Sequence, residues 1–324
     1  MRVAFLWDWE CDLYQTITWE DGLCAALQHL QANGHEIGFF TVGDRLNIPK
    51  GNLLIKRVPA GDKLVEAVQA FIPDVILVWG DCTRPHAYPL SKLGRPMAIC
   101  FAGGSVDGPT SMYFDHFFVE STCYKERLEA MGKSVSIAFG TNEKLFTPQP
   151  LMAKHWDVCF PATYARWKRH QLFADAVEGL RAVCCGFKYH DHEQECHEYP
   201  RSKGVLTLPH VDPYTLRDIY AASRVCVITS ETIGGSQRTV LEAMAMNVPL
   251  VVATDSDKTT EYLRDAALKG FATGFEATPE AKEVRRAVDS MLTMKQSAGR
   301  EYVLSKWTAK HYADALLEGL SKIV

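Results

Sequence analysis

The stretch from Val225 to Ala253 restricts the fold more than any other part of the chain. Val225-Cys-Val-Ile-Thr229 is a short β-branched and apolar run, the profile of a buried parallel strand. Gly234-Gly235-Ser236 then supplies a turn and an N-cap, and the apolar period of Gln237 to Met246 predicts a helix. Asn247 suits a left-handed cap, Pro249 forbids continuation, and Leu250-Val-Val-Ala253 is the next strand. A glycine pair feeding a helix N-terminus lets backbone N–H groups and the helix dipole approach an anion closely. Glu242 lies six residues beyond Ser236 on the same helix, placed to accept hydrogen bonds from a polyol such as ribose. Phosphate at the helix tip and hydroxyls at a carboxylate describe a nucleotide-sugar site. The alternative is a plain strand–helix–strand unit with no ligand.

The same alternation runs through the rest of the chain, so an α/β fold of doubly wound parallel sheets is expected. In the first half, strands are predicted at Met1–Leu6, His35–Thr41, Asp74–Trp79, Pro96–Phe101 and Ser134–Ala138, and helices at Asp21–Asn33 and Asp62–Phe71. The second half opens on a strand at Trp156–Ala162, followed by the basic turn T-Y-A-R-W-K-R-H of Thr163–His170. Cations there oppose a helix dipole, so an anion is expected beside them. At 324 residues there is room for two domains, and 47% apolar with 23% charged residues describes a globular chain. A formal charge of −4 gives no global pull toward nucleic acid or anionic lipid. Ten cysteines without a C-x-x-C pair, and a chain that opens directly on a strand, predict reduced thiols and a cytoplasmic location. No apolar run reaches membrane-spanning length.

From Leu241 onward, L-E-A-M-A and V-P-L-V-V resemble the donor segment of GT-B glycosyltransferases of the family 4 type (glycosyl transferases group 1). The resemblance continues at Gly34-His35-Glu36, at the linker G-T-N-E-K-L-F-T-P of Gly140–Pro148, and from Leu216 to Val227. It implies the GT-B fold: two Rossmann-like domains facing across a cleft, one of 1–146 plus 308–324 on the acceptor side, one of 147–307 for the donor. The implied activity is transfer of a sugar from a nucleoside-diphosphate sugar, taken as a UDP-sugar, to an acceptor hydroxyl, with retention, no metal and no cofactor. Lys168 falls on the family lysine that faces the departing diphosphate, while the family arginine falls on Thr163, so Arg166 or Arg169 is expected to supply that charge. Gly235 and Ser236 offer amides to the diphosphate, and Gln237 and Arg238 in the first turn lie close enough to touch phosphate or sugar. Glu242 fixes the ribose, and backbone groups at His210 and Val211 hold the base.

Three departures stand against the family pattern. Its first glutamate falls on Gly234, with Glu231 as the nearby substitute; its histidine after the fourth strand is replaced by Gly103-Gly104, whose backbone remains able to approach the sugar; its first-loop glycine pair is replaced by the aromatic run with Trp9, Tyr14 and Trp19. These departures keep two other readings open, a GT-B nucleotide-sugar epimerase and a nucleotide-sugar-binding protein without catalysis. The acceptor is left between a saccharide, a small molecule, a protein and a hydroxymethylated DNA base of viral type. The region up to Phe146 holds 13 Lys/Arg against 17 Asp/Glu, which argues against a lipid carrier and against a DNA groove. His86 is read as a surface histidine rather than a proton carrier. The His190–His197 segment with Cys196 has no standard zinc spacing and is read as a loop, as is Asp255-Ser-Asp257.

Overall fold

A computed structural model describes residues 1–7, 20–42, 48–50, 53–80, 85–101, 109–188, 194–232, 235, 237–294 and 297–324. The chain divides into two units, Met1–Phe139 with Ala309–Val324, and Gly140–Thr308. The segment Gly140–Phe146, expected in the first domain, falls in the second unit: Thr141 N donates to Trp307 O, and Arg300 donates to Glu143 O and Phe146 O.

The first unit begins with β1 (Arg2–Trp7), α1 (Gly22–Ala32), β2 (Glu36–Val42), β3 (Ile48–Lys50), β4 (Leu53–Val58), α2 (Asp62–Phe71) and β5 (Val75–Trp79). It continues with α3 (Ala87–Ser91), β6 (Met97–Cys100), β7 (His116–Val119), α4 (Thr122–Ala130) and β8 (Val135–Ile137). The sheet order is β3-β4-β2-β1-β5-β6-β7-β8, parallel except for the edge pair β3–β4. Strands β1, β5, β6 and β7 are buried almost throughout, because helices cover a parallel sheet on both faces. Asp21 caps α1 by accepting from Cys24 N at 2.8 Å.

The second unit holds β9 (Trp156–Pro161), α5 (His170–Ala176), β10 (Ala182–Cys185), α6 (Gln194–Ser202), β11 (Leu206–Leu208), α7 (Pro213–Ala221) and β12 (Ser223–Ile228). Then follow α8 (Gln237–Ala245), β13 (Leu250–Ala253), α9 (Asp257–Leu268), β14 (Gly274–Ala277), α10 (Ala281–Leu292) and α11 (Gly299–Lys306). The strand order is β11-β10-β9-β12-β13-β14, all parallel. Numbered from β9, that is 3-2-1-4-5-6, the doubly wound dinucleotide-binding order, whose direction reverses between β9 and β12. One face of the sheet packs Val158, Phe160, Cys184, Val225 and Val227 against α5, α6 and α10.

The last helix, α12 (Ala309–Leu320), returns to the first unit and lies against α1 and β7. Gly319 makes that approach possible, since a Cβ there would meet Phe118 Cε1 at 2.3 Å.

Several elements had no clear signal in the sequence. The edge pair β3–β4, the short α3 and β14 lack a long period. The helix α6 carries Pro200 inside it and covers residues read as a loop. Among the described residues of that loop, Cys196 faces the core and His197 Nδ1 bonds Glu198 at 2.9 Å, so neither is offered to a metal. His86, read as a surface side chain, is buried at the start of α3.

Candidate functional site

In an open α/β sheet, ligands bind beyond the carboxyl ends of the strands, at the point where strand order reverses. In the second unit that point lies between β9 and β12. The segment leaving β9 is the basic turn, and the segment leaving β12 is the one that opens α8. The two corners singled out in the sequence are therefore neighbours by topology, although Lys168 and Gln237 lie 69 positions apart.

Hydrogen bonds to the basic turn's carbonyls join them directly. Glu231 N donates to Trp167 O at 2.8 Å, and Thr229 Oγ1 donates to Lys168 O at 2.8 Å. Residues Arg166–Lys168 form one turn of 3-10 helix, with Arg166 exposed and Lys168 buried, only 8% exposed.

At the start of α8, Gly235 has φ +63°, a left-handed conformation that any side chain would strain. Gln237 follows, 2% exposed, and its Nε2 has no hydrogen-bond partner among the described residues. A buried amide donor without a partner is rare, and at a helix N-terminus it lies in the region of positive potential that favours an anion. Glu242, 5% exposed, accepts from Tyr220 Oη at 3.1 Å. Its carboxylate is thus oriented by a buried phenol from α7. Ser236, Gly103, Gly104, Trp9, Tyr14 and Trp19 lie outside the described residues.

His210, after β11, stacks on Phe187 with ring centroids 3.8 Å apart and 14° between planes. Desolvation, and then the charge of Arg238, lowers its pKa, which keeps the ring neutral near pH 7. Deeper in, His170 is fully buried against Phe160 and Tyr164, each at 4.9 Å between centroids. Burial first, then the charge of Lys168, pulls its pKa down to about 3, against a smaller opposing pull from the backbone of Ala162 and Ala165.

One expected ligand is differently engaged. Arg169, expected among the cations beside the diphosphate, turns its guanidinium to Asp255, with Nη1 to Oδ2 and Nη2 to Oδ1 each at 2.7 Å. Asp255, read in the sequence as part of a plain loop, is that partner. Tyr220 and Thr229 also bear on the site without having been singled out: Tyr220 lies inside the Leu216–Val227 stretch with no role assigned to it, and Thr229 lies just beyond it.

Residues 156–294 match the family model described as glycosyl transferases group 1. That match lies within the second unit and covers less than half of the chain. Among solved structures, the chain is similar to a sucrose-phosphate synthase from Thermosynechococcus elongatus, with TM-score 0.77 and 15% identity over 99% of this chain and 98% of the other. It is likewise similar to a glycosyltransferase from Rickettsia africae, with TM-score 0.75 and 14% identity over 99% and 98%. A third is Anabaena Alr3699/HepE in complex with UDP and glucose, with TM-score 0.74 and 15% identity over 99% and 100%. No curated protein sequence matches the chain. The fold is GT-B. Among the described residues, no helix is long and apolar enough to cross a membrane.

Proposed function

We propose that the chain transfers a sugar from a UDP-sugar to an acceptor hydroxyl, with retention at the anomeric carbon and without a metal ion. Loss of a diphosphate from an oxocarbenium-like centre needs positive charge fixed in advance where the negative charge develops. The reading rests above all on Gln237: a buried amide donor without a partner among the described residues, at the N-terminus of α8, in the segment leaving the strand next to the one that leads to Lys168. In this reading Lys168 and Arg166 face the departing diphosphate together with the first turn of α8 and the Gly235 and Ser236 amides. Gln237 and Arg238 touch phosphate or sugar, Glu231 stands in for the family glutamate, and Glu242 accepts from the ribose hydroxyls. His210 and Val211 border the base. Fixed cations at the diphosphate do the work that a metal ion does elsewhere, which is the ground for proposing metal independence. UDP as the nucleotude carrier is favoured by the similarity to HepE, a protein described in complex with UDP-glucose.

For the acceptor, a saccharide or small molecule is favoured over a modified DNA base, because acidic residues outnumber basic ones in the first unit's sequence. The test is a panel of nucleotide sugars screened for thermal stabilisation, followed by mass spectrometry of an acceptor panel. Lys168→Ala is expected to lower turnover by a factor on the order of 100 or more, the scale for removing one group that stabilises developing charge. Turnover that survives Lys168→Ala intact would refute the assignment. Donor conversion with no acceptor present would instead identify an epimerase.

A further inference from the structure

Arg169 sits in the middle of the basic turn, yet its side chain points into the protein. Its backbone is left-handed, at φ 54°, a conformation that a non-glycine residue keeps only where its surroundings over-determine it. Here the surroundings are four hydrogen bonds. Nε donates to Thr229 O and Nη2 to Ser230 O at 3.2 Å, while Nη1 and Nη2 form the bidentate pair with Asp255 at 2.7 Å each. Four of the five N–H donors of the guanidinium are therefore satisfied within the protein. A guanidinium paired face to face with a carboxylate is neutralised as well as immobilised, and makes a poor partner for a second anion.

These bonds span the segments after three adjacent strands, β9, β12 and β13. Asp255 is held from a second side, since its carbonyl accepts from Thr232 Oγ1, which itself accepts from Asp257 N at 3.2 Å. Residues 229–232 are thus fixed against Arg169 on one flank and against the start of α9 on the other. The bonds Glu231 N to Trp167 O and Thr229 Oγ1 to Lys168 O close the same brace on the backbone.

We propose that Arg169 and Asp255 are a positioning pair for donor binding: they hold the segment that leads into α8 at a fixed place against Lys168, and Arg169 does not itself bind the diphosphate. The pair is a brace in its own right; its effect on the donor rests on the function proposed above.

The experiment compares Arg169→Met, Arg169→Lys, Asp255→Asn and the double variant R169M/D255N, using UDP as the probe in calorimetry and hydrogen exchange at the Glu231 amide. All four are expected to lose UDP affinity by a common factor, on the order of tenfold, and to speed exchange at Glu231 to the same extent. Lys cannot reproduce the fork, so Arg169→Lys is expected to behave like Arg169→Met. Lys168→Ala is expected to lower UDP affinity while leaving exchange at Glu231 unchanged. A loss in Arg169→Met well beyond that in Asp255→Asn, or tighter UDP binding in Asp255→Asn, would make Arg169 a direct ligand and overturn the proposal. Unchanged exchange at Glu231 in Asp255→Asn overturns it as well. If the unaltered protein binds no UDP, the donor reading falls, and exchange alone decides whether the brace exists.

Discussion

Gln237 makes the sharpest prediction, because removing it is expected to strengthen the free protein and weaken the complex. Its side chain is 2% exposed and Nε2 has no partner among the described residues. A buried donor left without a partner costs about 1–3 kcal/mol. Gln237→Leu keeps much of the volume and removes that donor, so a gain of about 1–2 kcal/mol is expected in the absence of ligand. For a unit of this size each kcal/mol moves the melting temperature by about 2–4 °C, which predicts a rise of roughly 2–8 °C. With UDP bound, the same substitution removes a hydrogen bond to a charged phosphate, about 1.5–3 kcal/mol, so affinity falls about 10- to 150-fold. At a UDP concentration of about 100 times the original Kd, the unaltered protein gains about 2.7 kcal/mol. A variant about 30-fold weaker gains only about 0.9 kcal/mol at the same concentration, so its initial advantage is nearly cancelled. Scanning fluorimetry with and without UDP, paired with calorimetry, measures both terms. A lower melting temperature for Gln237→Leu without ligand would show that the amide is satisfied in the free protein, and the argument for an anion at this helix end would fail.

Two further outcomes follow from titratable groups withdrawn from water in the second unit. Arg300, from α11, donates to the carbonyls of Glu143, Phe146 and Ala245, and burial lowers its pKa. Arg300→Met strands three carbonyls and is expected to cost about 3–5 kcal/mol in a urea titration, with Arg300→Lys recovering part of it. His170 concerns pH: its folded pKa, about 3, lies below the ordinary 6.5, so the unfolded chain binds its proton first as pH falls. The associated stability is complete above pH 6.5 and is lost as pH drops toward the folded value. Between pH 7 and 4.5 that loss is on the order of 3 kcal/mol, and it should be absent from the same comparison made on His170→Phe.

The sequence carried the architecture because a parallel sheet announces itself. Its strands are apolar on both faces, as in Val225–Ile228, and its helices end at residues such as Asn247, which holds φ 56° as a left-handed cap. Edge elements were illegible for the converse reason: β3 and β14 are short, and the latter is only partly buried, so neither has a sustained pattern. Within the candidate site, a motif in the sequence singles out Lys168 and Glu242. The site was not legible where long-range pairing decides. Nothing in the string R-W-K-R-H says which cation faces a ligand and which faces a carboxylate 86 positions away. Asp255 was read as a turn, and it does lie in one; its ion pair is created by the adjacency of β9, β12 and β13, a property of the sheet rather than of the tripeptide.

That distinction sorts the polar side chains at the reversal point by whether their hydrogen-bonding capacity is already spent. Arg169, Asp255, Thr229 and Thr232 bond one another or the backbone, and so fix the shape of the loops. Gln237 keeps a donor without a partner among the described residues, in the dipole field of α8, where water is largely excluded. An enzyme that must stabilise charge only as it develops gains from both arrangements: a frame that does not relax, and a donor whose bond forms with the ligand rather than before it. If that division is right, substitutions in the first group should act on loop order and donor affinity together. Substitutions at Gln237 should separate the two, raising stability while lowering affinity.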